Sequence, residues 1–530
     1  MTAPGTSYDE VPYESHTHAQ TQPDRLATLA RLFSLETALP SRARVLEIGC
    51  AAGRNLIPLA SRYPQARFTG IDLSRKQVDE GKKHIAALGL TNVTLLAMDL
   101  MQVDASLGEF DYIVAHGVYS WIPPEARKKL LAVCSANLSA LGVAYVSYNT
   151  NPGWRLRGVI RDMMRYHVAR FKEPLQRVAQ ARALLAFLQT SLAEETSAYA
   201  TLLREESRTL AEMPDYYLLH EQLEEHNEPV YFHEFLAQTA AAGLQYLCEE
   251  EIAASVPELS FKPDVLATLQ RISADMANLE QYADFLRNRS FRQSLLIGAV
   301  RVPQRTIDLK AVGGMYAESR ARPISAQPDL QSQAKESYVI ENGSAIATPH
   351  PVTKAAFEIL GRCWPRALPM QELYMQVQAR LGGGAAAPVA PVAPEQPGFK
   401  LLADDMARAF SIKVVGLHCE APQVTDVVSA RPVAFAPARY FASLREGRLP
   451  NTRHETLTWD SFAVLLLSLL DGSRDLAALV EEMIAFAAAG RMSLEENGQP
   501  LTDPLKVRQY LDASVRHTLG QLRDRAYLVA

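Results

Sequence analysis

At 530 residues the chain exceeds what one hydrophobic core supports, so about two to four domains are expected. A formal charge of -5 excludes a chain built mainly for nucleic acid, which would carry a strong basic bias. The five cysteines, Cys50, Cys134, Cys248, Cys363 and Cys419, lie far apart with no CxxC pair, which argues against a zinc ribbon or a disulfide framework and for reduced, buried thiols. The N-terminal residues show no basic stretch leading into an apolar core, and no apolar run reaches bilayer length, so a cytoplasmic protein without a transmembrane segment is expected. His16 and His18 lack a third ligand for a metal; they read as a lead-in that closes over a ligand, and no metal is expected.

The segment Arg44-Val45-Leu46-Glu47-Ile48-Gly49-Cys50-Ala51-Ala52-Gly53-Arg54-Asn55 reads as a strand, a glycine turn and the start of a helix. Gly70-Ile71-Asp72-Leu73-Ser74 comes next as a second strand tipped by an acid. This unit suits an adenosyl ligand at the carboxyl ends of a parallel sheet. A dinucleotide needs a third glycine where helix and strand pack closely, and that position holds Arg54, so nicotinamide and flavin cofactors are excluded. Asp72 at a strand end has the alternative role of helix N-cap. Ser74 with Gln77 makes a capping box without it, which leaves Asp72 for ribose hydroxyls.

Asn92-Val93-Thr94-Leu95-Leu96-Ala97-Met98-Asp99 reads as a third strand ending in an acid, and Phe110-Asp111-Tyr112-Ile113-Val114-Ala115-His116 as a buried fourth. Pro123-Pro124 opens a helix, and Gly142-Val143-Ala144-Tyr145-Val146-Ser147-Tyr148 makes the fifth strand. Alternating strands and helices predict an α/β fold, a doubly wound, Rossmann-like domain over residues 1–154.

Residues 155–310 are rich in helix formers with apolar spacings of three and four, as at Leu184, Leu185, Leu188 and Leu192, and read as a helical middle region. Pro229-Val230-Tyr231-Phe232-His233-Glu234-Phe235 interrupts it, and residues 293–302 look transitional. Residues 311–381 read as a small mixed α/β region, with Asn342-Gly343 turning a hairpin. Residues 382–398, rich in Gly, Ala and Pro, are expected to be a linker. Residues 399–530 then form a C-terminal mainly helical or winged-helix domain whose wing is not evident in the sequence; its removal is expected to spare ligand binding.

Glu47-x-Gly49-x-Ala51-x-Gly53 resembles the first motif of class I S-adenosylmethionine-dependent methyltransferases, with Ala51 where that family commonly has glycine. Tyr8-Asp9-Glu10-Val11-Pro12-Tyr13-Glu14-Ser15, Asp24-Arg25-Leu26-Ala27-Thr28-Leu29-Ala30, Ala115-His116-Gly117-Val118-Tyr119-Ser120-Trp121-Ile122-Pro123 and Tyr148-Asn149-Thr150-Asn151-Pro152-Gly153-Trp154 carry the likeness further. They resemble methyltransferases with a regulatory domain, a group that includes rickettsial-type lysine methyltransferases of outer-membrane proteins. The resemblance implies S-adenosylmethionine held by Tyr13, Glu47, Gly49, Cys50, Gly53, Asn55, Asp72, Leu73, Asp99, Leu100 and His116. It also implies a homodimer and accessory domains that receive a protein substrate.

Methyl transfer from a sulfonium is an in-line displacement, so alignment and dryness matter more than a strong base. A lysine acceptor must lose a proton first, which desolvation favours. Beside His116, Tyr119, Trp121, Tyr148 and Trp154 are candidates for the walls of an acceptor channel, with core packing as the competing role. A nucleic-acid N-methylase would carry an Asn/Asp-Pro-Pro-aromatic tetrad after the fourth strand, where this chain has Ala115-His116-Gly117-Val118. The alternatives are a small-molecule methyltransferase with accessory oligomerisation domains and a non-catalytic cofactor-binding scaffold.

Overall fold

The computed structural model describes residues 15–257, 260–382, 393, 395–496 and 499–530. Tyr13 and most of the expected linker at 382–398 lie outside the described residues. After helix α1 (Pro23–Leu32), β1 (Arg44–Ile48) leads through the glycine turn into α2 (Leu56–Arg62) and β2 (Arg67–Asp72). Then come α3 (Arg75–Ala87), β3 (Val93–Ala97), β4 (Phe110–Ala115), α4 (Pro124–Ala136) and β5 (Leu138–Asn149). The first five strands pair in parallel, with Ile48 opposite Ile71, Asp72 opposite Ala97 and Glu47 opposite Val114. That register brings the ends of β1, β2 and β3 to one edge, and the strand order reverses between β1 and β4, where ligands bind in open α/β sheets.

The sheet does not end at residue 154. It has seven strands in the order β3-β2-β1-β4-β5-β7-β6, and the last two come from the region read as helical. Around them, α5 (Gly153–Val168), α6 (Pro174–Ser191) and α7 (Ala198–Ala211) pack on their own small core, and α8 (Phe232–Ala241) precedes β6 (Leu244–Glu249). After α9 (Met276–Arg287), β7 (Phe291–Gly298) runs antiparallel between β5 and β6 and covers the edge that β5 would expose. Apolar runs as short as Leu295-Leu296-Ile297 carry no periodicity that separates a strand from a buried helix.

Next along the chain are β8 (Tyr316–Glu318) and the expected hairpin, β9 (Glu336–Val339) with β10 (Ala345–Thr348). Its Gly343 takes a φ of +86°, as an Asn-Gly turn requires. Helices α10 (Pro351–Cys363), α11 (Met370–Gly382) and α12 (Pro397–Ser411) precede β11 (Gly416–His418), which pairs with β8. Phe399, Leu402, Met406, Phe410 and Leu417 belong to the same apolar core as Leu26 of α1 and Val45 of β1. The segment after the expected linker is thus built into the main body. A separate core begins at Ala434. It joins α13 (Ala436–Ser443), the hairpin β12 (Arg448–Pro450) and β13 (Thr456–Thr458), α14 (Ser461–Ser468), α15 (Leu476–Ala488) and α16 (Pro504–Asp524), with the short pair β14 (Glu495–Glu496) and β15 (Gln499–Pro500) between α15 and α16 along the chain.

Ala51 takes a φ of +46° in the turn after β1, a left-handed conformation that costs an L-residue about 1 kcal/mol or more. Glycine there loses more chain entropy but relieves the crowding. Ala51→Gly is expected to raise the unfolding free energy by about 0.5 kcal/mol in a urea titration; a loss of stability would contradict this account of the turn.

Candidate active site

The turn after β1 is a tight cradle. The amides of Gly49 and Cys50 both donate to the carbonyl of Ile71, at 2.9 and 3.1 Å, which ties the turn to β2. Gly49 has a φ of +77°, and a Cβ there would lie 2.6 Å from Val118 Cγ2, so only glycine lets the loop after β4 approach. The close helix contact sought at the third glycine is made elsewhere: a Cβ on Gly81 of α3 would meet the Ala52 carbonyl at 2.6 Å. Arg54 instead points away, with Nη2 2.6 Å from Glu446 Oε1 and its guanidinium 3.7 Å from the centre of the Phe441 ring in the C-terminal domain.

Three acids surround this turn. Asp72 is not free, as its sequence position suggested: its carboxylate accepts from the amides of Ala51 and Ser74, each at 2.8 Å. Ser74 caps α3 by accepting from the Gln77 amide at 3.3 Å. Asp72 thus shapes the glycine turn while standing at the end of β2. Asp99 is exposed and accepts from the Met101 amide at 2.9 Å. Leu73, 62% exposed, and Met101, 47% exposed, present bare apolar surface close in sequence to Asp72 and Asp99, and Leu100 packs partly into the core. The Cys50 Sγ turns under the loop, 2.7 Å from where a Cβ on Gly70 would lie, which leaves only the backbone of Cys50 to face a ligand.

Glu47 is buried at the end of β1. Its Oε1 accepts from Asn55 Nδ2 at 2.8 Å, and its Oε2 is buried with no hydrogen-bond partner among the described residues. Asn55 is saturated: Nδ2 also donates to Thr21 Oγ1 at 3.0 Å, while Oδ1 accepts from the His18 amide at 2.9 Å and from His454 Nε2 at 2.7 Å. The lead-in therefore does close over the turn. The His18 ring lies 4.2 Å from that of His116, whose Nδ1 is 3.0 Å from the Tyr145 hydroxyl. Phe291, at the start of β7, meets the His116 ring edge-on at 6.3 Å. The orphan carboxylate oxygen, the acids and the exposed apolar surface fit a ligand that carries a cation, a ribose and a purine.

The aromatic residues divide. Tyr119 and Tyr148 are core: Tyr148 stacks on Phe235 of α8 at 4.0 Å, and the Tyr119 hydroxyl donates to Gln238. They serve the sheet face beneath α8 rather than an acceptor channel. Trp154 is buried at the start of α5 below Arg157, and Trp121 is half-buried in the short turn after β4. His116 alone of the expected set faces His18 above the turn. Sequence reasoning missed Tyr145, Phe291 and His454, since nothing local marks a residue from β7 or from some four hundred positions downstream as part of this site.

Comparison with known proteins agrees with the geometry. Residues 45–142 match the model of a methyltransferase domain, 214–297 that of a predicted methyltransferase regulatory domain, and 430–527 that of the PKMT C-terminal winged helix domain. An uncharacterized protein of Rickettsia prowazekii is 33% identical over 98% of this chain and 93% of its own. The structure of PKMT2 from Rickettsia typhi superposes with a TM-score of 0.86 at 30% identity, covering 98% of this chain and all of that one, as does PKMT2 in complex with AdoHcy. The chain belongs to the rickettsial-type S-adenosylmethionine-dependent methyltransferases. Its cofactor is S-adenosylmethionine.

The charge pattern of the methyltransferase suits that cofactor. Burial drives the His116 and His454 imidazoles well below their usual range and brings His18 down to about 4, so the rings around the turn are neutral and do not repel a sulfonium. Burial pushes the Glu47 carboxyl up to about 8; the Asn55 bond opposes this and the Asp72 charge adds to it. Below pH about 8 the ligand-free site holds a proton on Glu47; a cationic ligand favours the carboxylate and expels that proton, so affinity rises with pH up to about 8 and then levels off. S-adenosylmethionine binding is expected to tighten severalfold between pH 6 and 8, at most about tenfold per unit, with heats at pH 7 that depend on the buffer's ionisation enthalpy. Glu47→Gln removes both effects, and a flat pH profile in the native protein would contradict this account of Glu47.

Proposed function

We propose that this methyltransferase transfers methyl groups to lysine side chains of a protein acceptor, from a cofactor seated on Glu47, Gly49, Gly53, Asn55, Asp72, Leu73, Asp99 and Leu100 beneath His116. Bound S-adenosylmethionine supplies an electrophilic methyl group on a sulfonium. Asn55 and Asp72 fix the turn that positions it, and the lead-in with His18 keeps water out. His116, held by the Tyr145 hydroxyl and neutral, flanks the acceptor without adding positive charge. A lysine that enters this partly desolvated region would give up its ammonium proton to solvent more readily; its nitrogen would then bond the methyl carbon in line as the carbon–sulfur bond breaks and S-adenosylhomocysteine leaves.

The observation that carries the reading is a cleft of about 790 Å³ beside the site. Its walls run from Gln20, which bonds the Tyr145 hydroxyl, past Glu250 and Gln293 to Trp364 and Arg525 of the accessory regions. Its volume is within the range of small-molecule sites; what favours a polypeptide is that its mixed polar and apolar walls come from the accessory regions as well as from the first domain. The similarity of residues 430–527 to the PKMT winged helix domain supports the same reading. Among the described residues no helix is long and apolar enough to cross a membrane, and no group of three or more His, Cys, Asp or Glu is placed to hold a metal. The homodimer belongs, in this reading, on the face of α5 to α7, where Tyr166, Leu175, Phe187 and Tyr199 stand exposed. Incubation with methyl-labelled cofactor and a cell extract, with separation by size afterwards, should leave label with protein; label confined to the small-molecule filtrate would overturn the proposal.

A further inference from the structure

The turn that joins β12 to β13 is the least expected element near the cofactor. It joins two strands of the C-terminal core, yet Asn451, Thr452 and His454 are buried, and Thr452 and His454 meet Arg62 and Asn55 of the methyltransferase domain. It is built to hold its shape. Asn451 Oδ1 accepts from the amides of Arg453 and Glu455, both at 2.9 Å, and Asn451 Nδ2 donates to the Arg525 carbonyl at 3.0 Å. The Thr452 hydroxyl donates to the Ala526 carbonyl at 2.9 Å. His454 is held at a φ of +65°, a left-handed conformation that a bulky residue keeps only when its surroundings impose it.

The side chain of that strained residue donates from Nε2 to Asn55 Oδ1 at 2.7 Å. Asn55 in turn holds Glu47 and the His18 amide, so a donor from the C-terminal domain orients the side chain that joins the buried acid to the lead-in. The same turn is braced on both sides. Arg62 of α2 donates Nη1 to the Thr452 carbonyl at 2.9 Å, and Arg453 forms an ion pair with Glu318 of β8. Arg54, at the position where a dinucleotide site would need glycine, grips Glu446 and Phe441 one element earlier.

We infer that His454 is a positioning residue of the cofactor site, and that the turn between β12 and β13 couples the C-terminal domain to cofactor binding. The inference rests on the cofactor-site assignment above. Without the His454 donor, Asn55 loses one of two bonds to Oδ1 and can rotate, which frees the lead-in and leaves Glu47 less fixed.

The test uses the full-length chain and S-adenosylhomocysteine as probe, with calorimetry and hydrogen exchange on the native protein, His454→Ala, His454→Gln and Asp72→Ala. His454→Ala is expected to weaken binding about tenfold. Glutamine, which retains an N–H donor, should restore affinity to within about threefold of native. Exchange should quicken over residues 15–22 in the alanine variant and stay unchanged over residues 461–468. Native affinity in His454→Ala together with weakened binding in Asp72→Ala would overturn the role of His454 and leave the site assignment standing. Native affinity in both variants would overturn the site assignment and this inference with it. Faster exchange throughout the C-terminal domain, with affinity lost in both His454 variants, would reduce His454 to a structural residue.

Discussion

A chain that ends at residue 398 is expected not to fold, and one that ends at residue 429 to fold but to bind S-adenosylmethionine poorly. The first truncation strips Phe399, Leu402, Met406, Phe410 and Leu417 from the core they share with α1 and β1. Loss of a large buried apolar side chain costs about 2–5 kcal/mol, so five together, about 10–25 kcal/mol, match or exceed the roughly 5–15 kcal/mol by which a typical domain is stable. The second truncation keeps these residues and removes only the separate core that begins at Ala434. It leaves Arg54, Arg62 and Asn55 without Glu446, the Thr452 carbonyl and His454, and Glu318 without Arg453. Affinity should fall by at least about tenfold. Far-ultraviolet circular dichroism, urea titration and calorimetry on both fragments decide the matter; a folded, cofactor-binding chain ending at 398 would restore the expectation that these residues are dispensable.

Asp72→Ala is expected to weaken S-adenosylmethionine binding by about a hundredfold while unfolding remains cooperative. The carboxylate holds the Ala51 and Ser74 amides at 2.8 Å and so fixes both the turn and the start of α3. Hydrogen bonds to a charged group contribute about 1.5–3 kcal/mol each, and the site also loses its candidate partner for the ribose hydroxyls. Asp72→Asn, which preserves shape but removes charge, should fall between the two. Native affinity in the alanine variant would remove Asp72 from the site.

The first five strands were legible because each short apolar run ended in a turn signal or an acid, and Ser74 with Gln77 announced the start of α3. Asn342-Gly343 did the same for the hairpin. Strands β6 and β7 were hidden because Tyr246-Leu247-Cys248 and Leu295-Leu296-Ile297 are too short to show a period among helix formers. Residues 382–398 read as a boundary by composition, but a chain can return to the same core beyond a Gly/Ala/Pro-rich stretch, as Phe399 and Phe410 do. Glu47, Gly49 and Asp72 were visible as a motif at fixed spacing, and the structure brings them together around one turn. Tyr119 and Tyr148 misled, since an aromatic residue at a strand end packs inward or faces a ligand according to which helix covers it, here α8. His454 was invisible, because its partner Asn55 is chosen by tertiary docking alone.

Transfer of the methyl group to lysine in protein is open to one labelling experiment. The direct measurement incubates the full-length methyltransferase with methyl-labelled S-adenosylmethionine and envelope and soluble fractions of its own cells, then locates the label by mass spectrometry. Label on Nζ of lysine side chains, lost in Asp72→Ala, is the predicted result; label only on metabolites, or on protein carboxylates with lysines untouched, would contradict it.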